Sequence, residues 1–218
     1  MFRILSRITR FTVIAILTCS ASLSAQNLKT IQLPEPRKTG GMPLLEALAN
    51  RKSTREFSEQ KIVPDVLSTL LWAANGINRP DGRRTAPSSV NWQTLDVYVA
   101  LPEGLYLYDA KTNTLQPKLD GDIRALTGTQ PYVGAAALNL IYVVELSRIT
   151  RDIDNERKVS IATADVGFIG QNVYLFCASE GLGCVVRGLV DKDALGKKMG
   201  LKPDQRIILA QSVGYPKK

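Results

Sequence analysis

The middle of this chain reads as a β-hairpin, which rules against a doubly wound parallel sheet. Gly104 to Tyr108 and Thr114 to Lys118 are strand-like and flank Asp109-Ala110-Lys111-Thr112-Asn113, a run of turn formers. Leu95 to Leu101 (Leu-Asp-Val-Tyr-Val-Ala-Leu) reads as the strand before them. Elsewhere strands and helices interleave irregularly. The pattern predicts an α+β fold with a mixed sheet.

Other elements follow from period and punctuation. Pro43 opens a helix over 44–50, with Leu44, Leu45 and Leu48 at helical spacing. Pro64 starts a second, whose stripe is Val66, Leu67, Leu70, Leu71 and Ala74 and whose stop is Gly76. Asp120 to Leu126 suggests a short helix, and the apolar run Ala137 to Val144 a central strand. The longest helical pattern is Lys158 to Ser179, with Ile161, Ala164, Val166, Ile169, Val173 and Phe176 on its apolar side. Gly181 and Gly183 read as left-handed cap glycines after it. Strands over Cys184 to Leu189 and Arg206 to Val213 bracket a helix over Asp193 to Met199.

Residues 1–25 read as a secretory signal peptide. Arg3, Arg7 and Arg10 form a basic start, Phe11 to Leu17 an apolar stretch too short to span a bilayer, and Thr18 to Ala25 a small, polar end. The segment predicts export, to the periplasm of a Gram-negative cell. Cys19 offers a lipid-anchored alternative, weakened because Thr18 is bulkier than the usual residue before a lipidated cysteine. Residues 26–41 form an arm in which Pro34, Pro36, Gly40 and Gly41 oppose regular structure. Residues 42–218 are one domain, long enough to bury a sizeable core.

The leader's three arginines account for part of the net charge of +8 and leave +5 on the remainder. No Lys/Arg run interleaves with aromatics, so nothing points to nucleic acid. The chain has no histidine, which excludes Ser-His-Asp and Cys-His sites, histidine-held haem and nearly every catalytic zinc site. Cys177 and Cys184 lie in apolar runs and read as two buried thiols rather than a disulfide.

Three segments carry polar chemistry. Arg51-Lys52-Ser53-Thr54-Arg55-Glu56-Phe57 places cations and hydroxyls where a chain leaves a helix and can fan around a phosphate. It also reads as a cationic helix end favoured by the dipole. Pro87-Ser88-Ser89-Val90-Asn91-Trp92-Gln93 offers uncharged hydroxyls and amides, and alone reads as a turn or cap. Gly181-Leu182-Gly183 follows a helix and precedes a strand, the reverse of a dinucleotide fingerprint. Gly188 follows that strand, where backbone amides can face a ligand.

In this order, over residues 42–218, these segments resemble the nitroreductase family of flavin enzymes. Arg51 to Phe57 matches the family's first motif and Pro87 to Gln93 its Pro-Ser-Ser-x-Asn-x-Gln motif. The long helix with Asp165, Gly167, Gln171 and Asn172, the Gly-Leu-Gly turn and the closing Gly-Tyr-Pro-Lys are similar as well. The middle hairpin resembles that of the short members related to azole-forming dehydrogenases.

The resemblance implies a nitroreductase-like α+β fold, with a central mixed, mostly antiparallel sheet flanked by helices, in a domain-entwined homodimer binding flavin mononucleotide (FMN) at its interface. Arg51, Lys52, Ser53 and Arg55 would hold the phosphate and ribityl chain from one subunit. Pro87, Ser88, Ser89 and Asn91 would reach the same flavin from the other. Val186, Arg187 and Gly188 would set backbone groups beside the ring, Gln130 would meet its pyrimidine edge, and Lys217 and Lys218 would close on the phosphate. The implied activity is an FMN-dependent oxidoreductase passing hydride or electrons through flavin N5 to a small organic acceptor, with no side-chain acid or base required. NAD(P)H is the donor the family implies, and a periplasmic donor is what the leader implies. An exported flavin-binding protein without nicotinamide-dependent activity is the competing expectation. The chain departs from the family at Val185-Val186-Arg187, where many relatives carry Glu or Trp, and in lacking a longer basic tail.

Overall fold

The computed structural model describes residues 28–218; the leader and its cleavage point lie outside them. Among the described residues, seven strands form one sheet in the order β1-β4-β3-β2-β5-β7-β6. They are β1 Ile31–Gln32, β2 Leu95–Leu101, β3 Gly104–Asp109, β4 Thr114–Asp120, β5 Leu138–Glu145, β6 Gly183–Arg187 and β7 Gln205–Gly214. Every ladder is antiparallel. Among the described residues, the mixed character expected from sequence is confined to one isolated parallel bridge, Ser53 to Cys184.

Among the described residues, four α-helices complete the α+β fold: α1 Leu44–Asn50, α2 Pro64–Asn75, α3 Asn155–Ser179 and α4 Lys192–Met199. Strand alternation divides the core between the sheet's two faces. Val97 and Val99 of β2 join Leu140 and Tyr142 of β5 under α2 and α3. Tyr98 and Ala100 join Ile141 and Val143 on the opposite face, closed by Leu195 of α4. β5 is buried on both faces, which explains its unbroken apolar run.

Several local expectations need correction. The arm holds a two-residue strand, because Ile31 and Gln32 pair with Leu115 and Thr114. Pro34 is tied down from outside: Ser68 Oγ and Asn113 Nδ2 both donate to its carbonyl, at 2.5 and 2.7 Å. Residue 120 ends β4, and the expected helix over 120–126 is only a 3₁₀ turn, Arg124–Thr127. α3 starts at Asn155 because the Asp154 carboxylate caps the Arg157 N–H at 2.7 Å. Ala164, placed on its apolar side from sequence, is exposed. β6 stops at Arg187 rather than Leu189. Gly181 is left-handed at φ 69°, but Gly183 is not. Gly183 is required by space instead, since a Cβ there would lie 2.6 Å from the Thr54 side chain.

α1 forms where expected yet does not bury its leucines. Leu44, Leu45 and Leu48 stay 63%, 80% and 45% exposed, and Phe168 on α3 is also exposed. Cys177 and Cys184 are free and buried. Burial, and then a hydrogen bond with Cys184, push the Cys177 thiol well above its ordinary value.

Candidate functional site

Arg51 caps α1, donating its N–H to the Ala47 carbonyl, and the chain then runs extended toward β6. The Thr54 N–H donates to the Cys184 carbonyl at 2.9 Å, and Ser53 bridges Cys184. The Ser53 hydroxyl lies 2.9 Å from the Tyr174 hydroxyl, which also accepts the Val186 N–H at 3.0 Å. The Arg51 guanidinium sits 5.3 Å from the centre of the Tyr174 ring. Tyr174 is therefore the junction between the first motif and β6.

The C-terminal segment comes to the same place. The Lys217 N–H donates to the Glu56 carbonyl at 3.1 Å, the Ser58 N–H donates to the Tyr215 carbonyl, and Phe57 bridges Pro216. Arg51, Lys52, Ser53, Arg55, Val186, Lys217 and Lys218 thus belong to one region, and Lys52, Ser53, Arg55, Lys217 and Lys218 are exposed. Among the described residues, Arg51, Lys52, Arg55, Lys217 and Lys218 form no salt bridge. Unpaired cations gathered beside a serine hydroxyl suit a phosphate.

The second motif is held from inside the protein. The Asp165 carboxylate of α3, buried, accepts the Ser88 hydroxyl at 3.3 Å, the Ser89 hydroxyl at 2.9 Å and the Ser89 N–H at 3.1 Å. The Ser88 oxygen accepts the Gln93 N–H at 2.9 Å, and Arg84 Nε donates to Gln93 Oε1 at 2.9 Å. Held this way, Val90, Asn91 and Gln93 take positive φ of 50°, 57° and 49°. Such strain persists where surrounding contacts over-determine the backbone. Pro87, Val90 and Asn91 face outward.

Asp165 and Tyr174 are nine residues apart on α3. At ~1.5 Å rise and ~100° per residue they are separated by about 13.5 Å along the axis and about half a turn around it. The two motifs of one chain therefore stand at opposite rims of the buried face of this helix.

The third group lies on the other side of β6. Alternation sends Val186 toward the α3 face and Arg187 to the opposite one. Arg187 Nη1 donates to the Thr127 carbonyl at 2.5 Å, and Nη2 donates to Asn139 Oδ1 at 2.9 Å and Thr127 Oγ1 at 3.4 Å. Among the described residues, Arg187 Nε and Gln130 Oε1 are buried without hydrogen-bond partners. A Cβ on Gly128 would lie 2.1 Å from Arg187 Nη1 and 2.8 Å from Gln130 Oε1, so both reach one spot and leave no room there for a side chain. Gln130 Nε2 donates to the Leu189 carbonyl at 3.5 Å, next to exposed Gly188. An orphaned acceptor here fits an imide N–H such as flavin presents on its pyrimidine edge. The donors and cations available thus fit FMN at both its phosphate and its ring.

Sequence reasoning missed Tyr174, Thr127 and Asn139 as site residues, and named Asp165 without a role. A carboxylate beside Val166, on the apolar side of the long helix, was the available signal for Asp165. No pattern marked Tyr174.

The sequence profile of the Nitroreductase family matches residues 48–215. A nitroreductase homologue of Methanocaldococcus jannaschii is 31% identical over 168 residues, covering 72% of this chain and 83% of its own. A nitroreductase crystal structure from Ralstonia eutropha is 44% identical with a TM-score of 0.82, covering 87% of this chain and 90% of its own. The NADPH:FMN oxidoreductase of Vibrio harveyi shares the fold at 22% identity and a TM-score of 0.60, over 80% of this chain and 69% of its own. With its two motifs, its antiparallel sheet and these matches, the chain belongs to the nitroreductase family of oxidoreductases.

Proposed function

We propose that the protein is an FMN-dependent oxidoreductase, active as a homodimer, that reduces a small organic acceptor. The observation that carries this reading is the junction at Tyr174, which brings Ser53, the Val186 amide and the Arg51 guanidinium together in the segment that also carries Lys52 and Arg55. Arg51, Lys52, Ser53, Arg55, Lys217 and Lys218 hold the phosphate and ribityl chain. Gln130 accepts from the pyrimidine edge, and the backbone of Val186 to Gly188 lies beside the ring. When bound, FMN supplies reversible two-electron chemistry.

The dimer rests on two observations. The second motif stands about 13.5 Å along α3 from the first and around its other side, so Pro87, Ser88, Ser89 and Asn91 serve the flavin of a second copy. The exposed Leu44, Leu45, Leu48 and Phe168 give that copy an apolar surface to cover. The role of Asp165 is to present the second motif, and that of Tyr174 is to place Ser53.

Export, supported by the basic-then-apolar leader, sets the electron donor. Free NAD(P)H is the family's donor by resemblance; in the periplasm another reductant takes its place. The middle hairpin supports kinship with the azole-forming dehydrogenases.

The test is the absorbance spectrum of the purified mature protein during titration with NADH, NADPH and dithionite. The reading predicts a flavin spectrum that bleaches with dithionite. Protein that stays colourless when FMN is added contradicts it. Flavin that binds but mediates no acceptor reduction with any donor favours the alternative, an exported flavin-binding protein.

A further inference from the structure

Arg187 is a buried cation with only neutral partners. It is 4% exposed, and among the described residues it makes no salt bridge. Its acceptors are the Thr127 carbonyl and hydroxyl and the Asn139 amide oxygen. Asn139 is itself fixed: its Nδ2 donates to the Val133 carbonyl at 2.9 Å, and its Oδ1 also accepts the Ser212 hydroxyl at 2.6 Å. The guanidinium therefore has a defined position. Burial lowers its proton affinity, Tyr132 opposes that shift, and an arginine stays charged nonetheless.

A buried charge without a counter-charge is costly, and water does not screen its field. Here the cation also leaves Nε unpaired and neighbours the unpaired Gln130 Oε1. The guanidinium and the Gln130 amide oxygen meet beside Gly128, and each group keeps one polar atom without a partner among the described residues, which marks a place that a ligand completes. The residue that follows β6 is Gly188, exposed, with Gln130 hydrogen-bonded to the residue after it.

We propose that Arg187 sets the reduction potential of the bound flavin, acting as a positioning residue whose fixed charge lies behind the Gln130 edge. The inference rests on the flavin reading above. Two electrons and one proton convert neutral oxidised flavin into a reduced anion with a single negative charge. The electrons come from the donor and the proton from solvent. A fixed positive charge nearby favours the anionic product over the neutral reactant and so raises the potential. Arg187 does this without contact with the reacting atoms. It also fixes the turn that carries Gly128 and Gln130, which keeps the polar edge in register with β6.

The experiment measures the flavin potential of the loaded, mature protein against a reference dye, with dithionite as reductant. Arg187→Gln removes the charge. Asn139→Asp leaves the arginine and sets a carboxylate against it. Arg187→Lys keeps the charge and gives up the fork. The expected result is a tenfold or larger shift of the two-electron equilibrium toward oxidised flavin in Arg187→Gln and in Asn139→Asp, equal to about 30 mV downward. Arg187→Lys stays within a third of that. A purely structural role changes flavin retention and leaves the potential where it was. Equal potentials in wild type and either neutralised variant overturn the proposal, and Asn139→Asp decides if Arg187→Gln sheds its flavin. Wild-type protein that holds no flavin overturns this inference and the proposed function together. A flavin-loaded wild type whose variants do not shift overturns this inference alone.

Discussion

The Ser89 hydroxyl donates to the buried Asp165 carboxylate at 2.9 Å, while the Ser89 N–H donates to the same group at 3.1 Å. A carboxylate on the buried side of α3 fixes a loop that would not otherwise hold three non-glycine residues at positive φ. Asp165→Asn turns acceptor capacity into donors facing donors. We expect a loss of about 1–3 kcal/mol in stability by denaturant unfolding, together with weaker FMN retention. Unchanged stability would show that the loop holds itself.

Val90 bears the clearest strain in that loop, a β-branched residue at φ 50° and 73% exposed. Its side chain has little packing to lose. Val90→Gly relieves roughly 1–3 kcal/mol of strain against an entropic cost of about 0.5–1 kcal/mol. The urea midpoint should rise. A fall would mean that the exposed side chain makes a contact worth more than the strain.

Tyr174 joins Ser53 to the Val186 amide. Tyr174→Phe keeps the ring under Arg51 and leaves the Val186 N–H unpaired, at about 1–3 kcal/mol. FMN titration by fluorescence quenching should show affinity reduced roughly tenfold, about 1.4 kcal/mol. Affinity equal to wild type would place the phosphate site elsewhere.

Tyr108 gives a pH prediction. Burial first, offset in part by Arg84 and reinforced by Asp109, pushes its phenol from 10.0 up to about 12. The folded state therefore holds this proton longer than the unfolded chain. Its stabilising contribution is complete below pH 10.0 and is lost as pH rises toward about 12. Stability of Tyr108→Phe should fall less than wild type over that window. Parallel curves would show that the phenol titrates normally.

Much of this architecture was legible in the residues. β2 runs over Leu95–Leu101 and α2 over Pro64–Asn75, as the run Leu-Asp-Val-Tyr-Val-Ala-Leu and the punctuation at Pro64 and Gly76 indicated, because local signals decide both. β1 was not legible, since two residues become a strand only by pairing with β4, some eighty positions away. The exposure of α1's leucines was equally hidden, because helical spacing says which residues share a face and not what covers it. In the site, the motif segments were readable as units. Their joints were not: Tyr174 meets Ser53 across 121 residues. The direction of Arg187 depends on which face of β6 meets α3, and only the assembled sheet sets that.

The central claim is that one flavin is served by the first motif of one subunit and the second motif of another. Co-expression of differently tagged Arg51→Glu and Asn91→Asp chains tests it most directly, with the mixed dimer isolated and its flavin counted. The variants' own dimers should each lose most of their FMN. The mixed dimer should regain one site, built from the intact first motif of one chain and the intact second motif of the other, and so hold about half the flavin of wild type. A mixed dimer as empty as its parents, or a flavin-loaded monomer, would contradict the account.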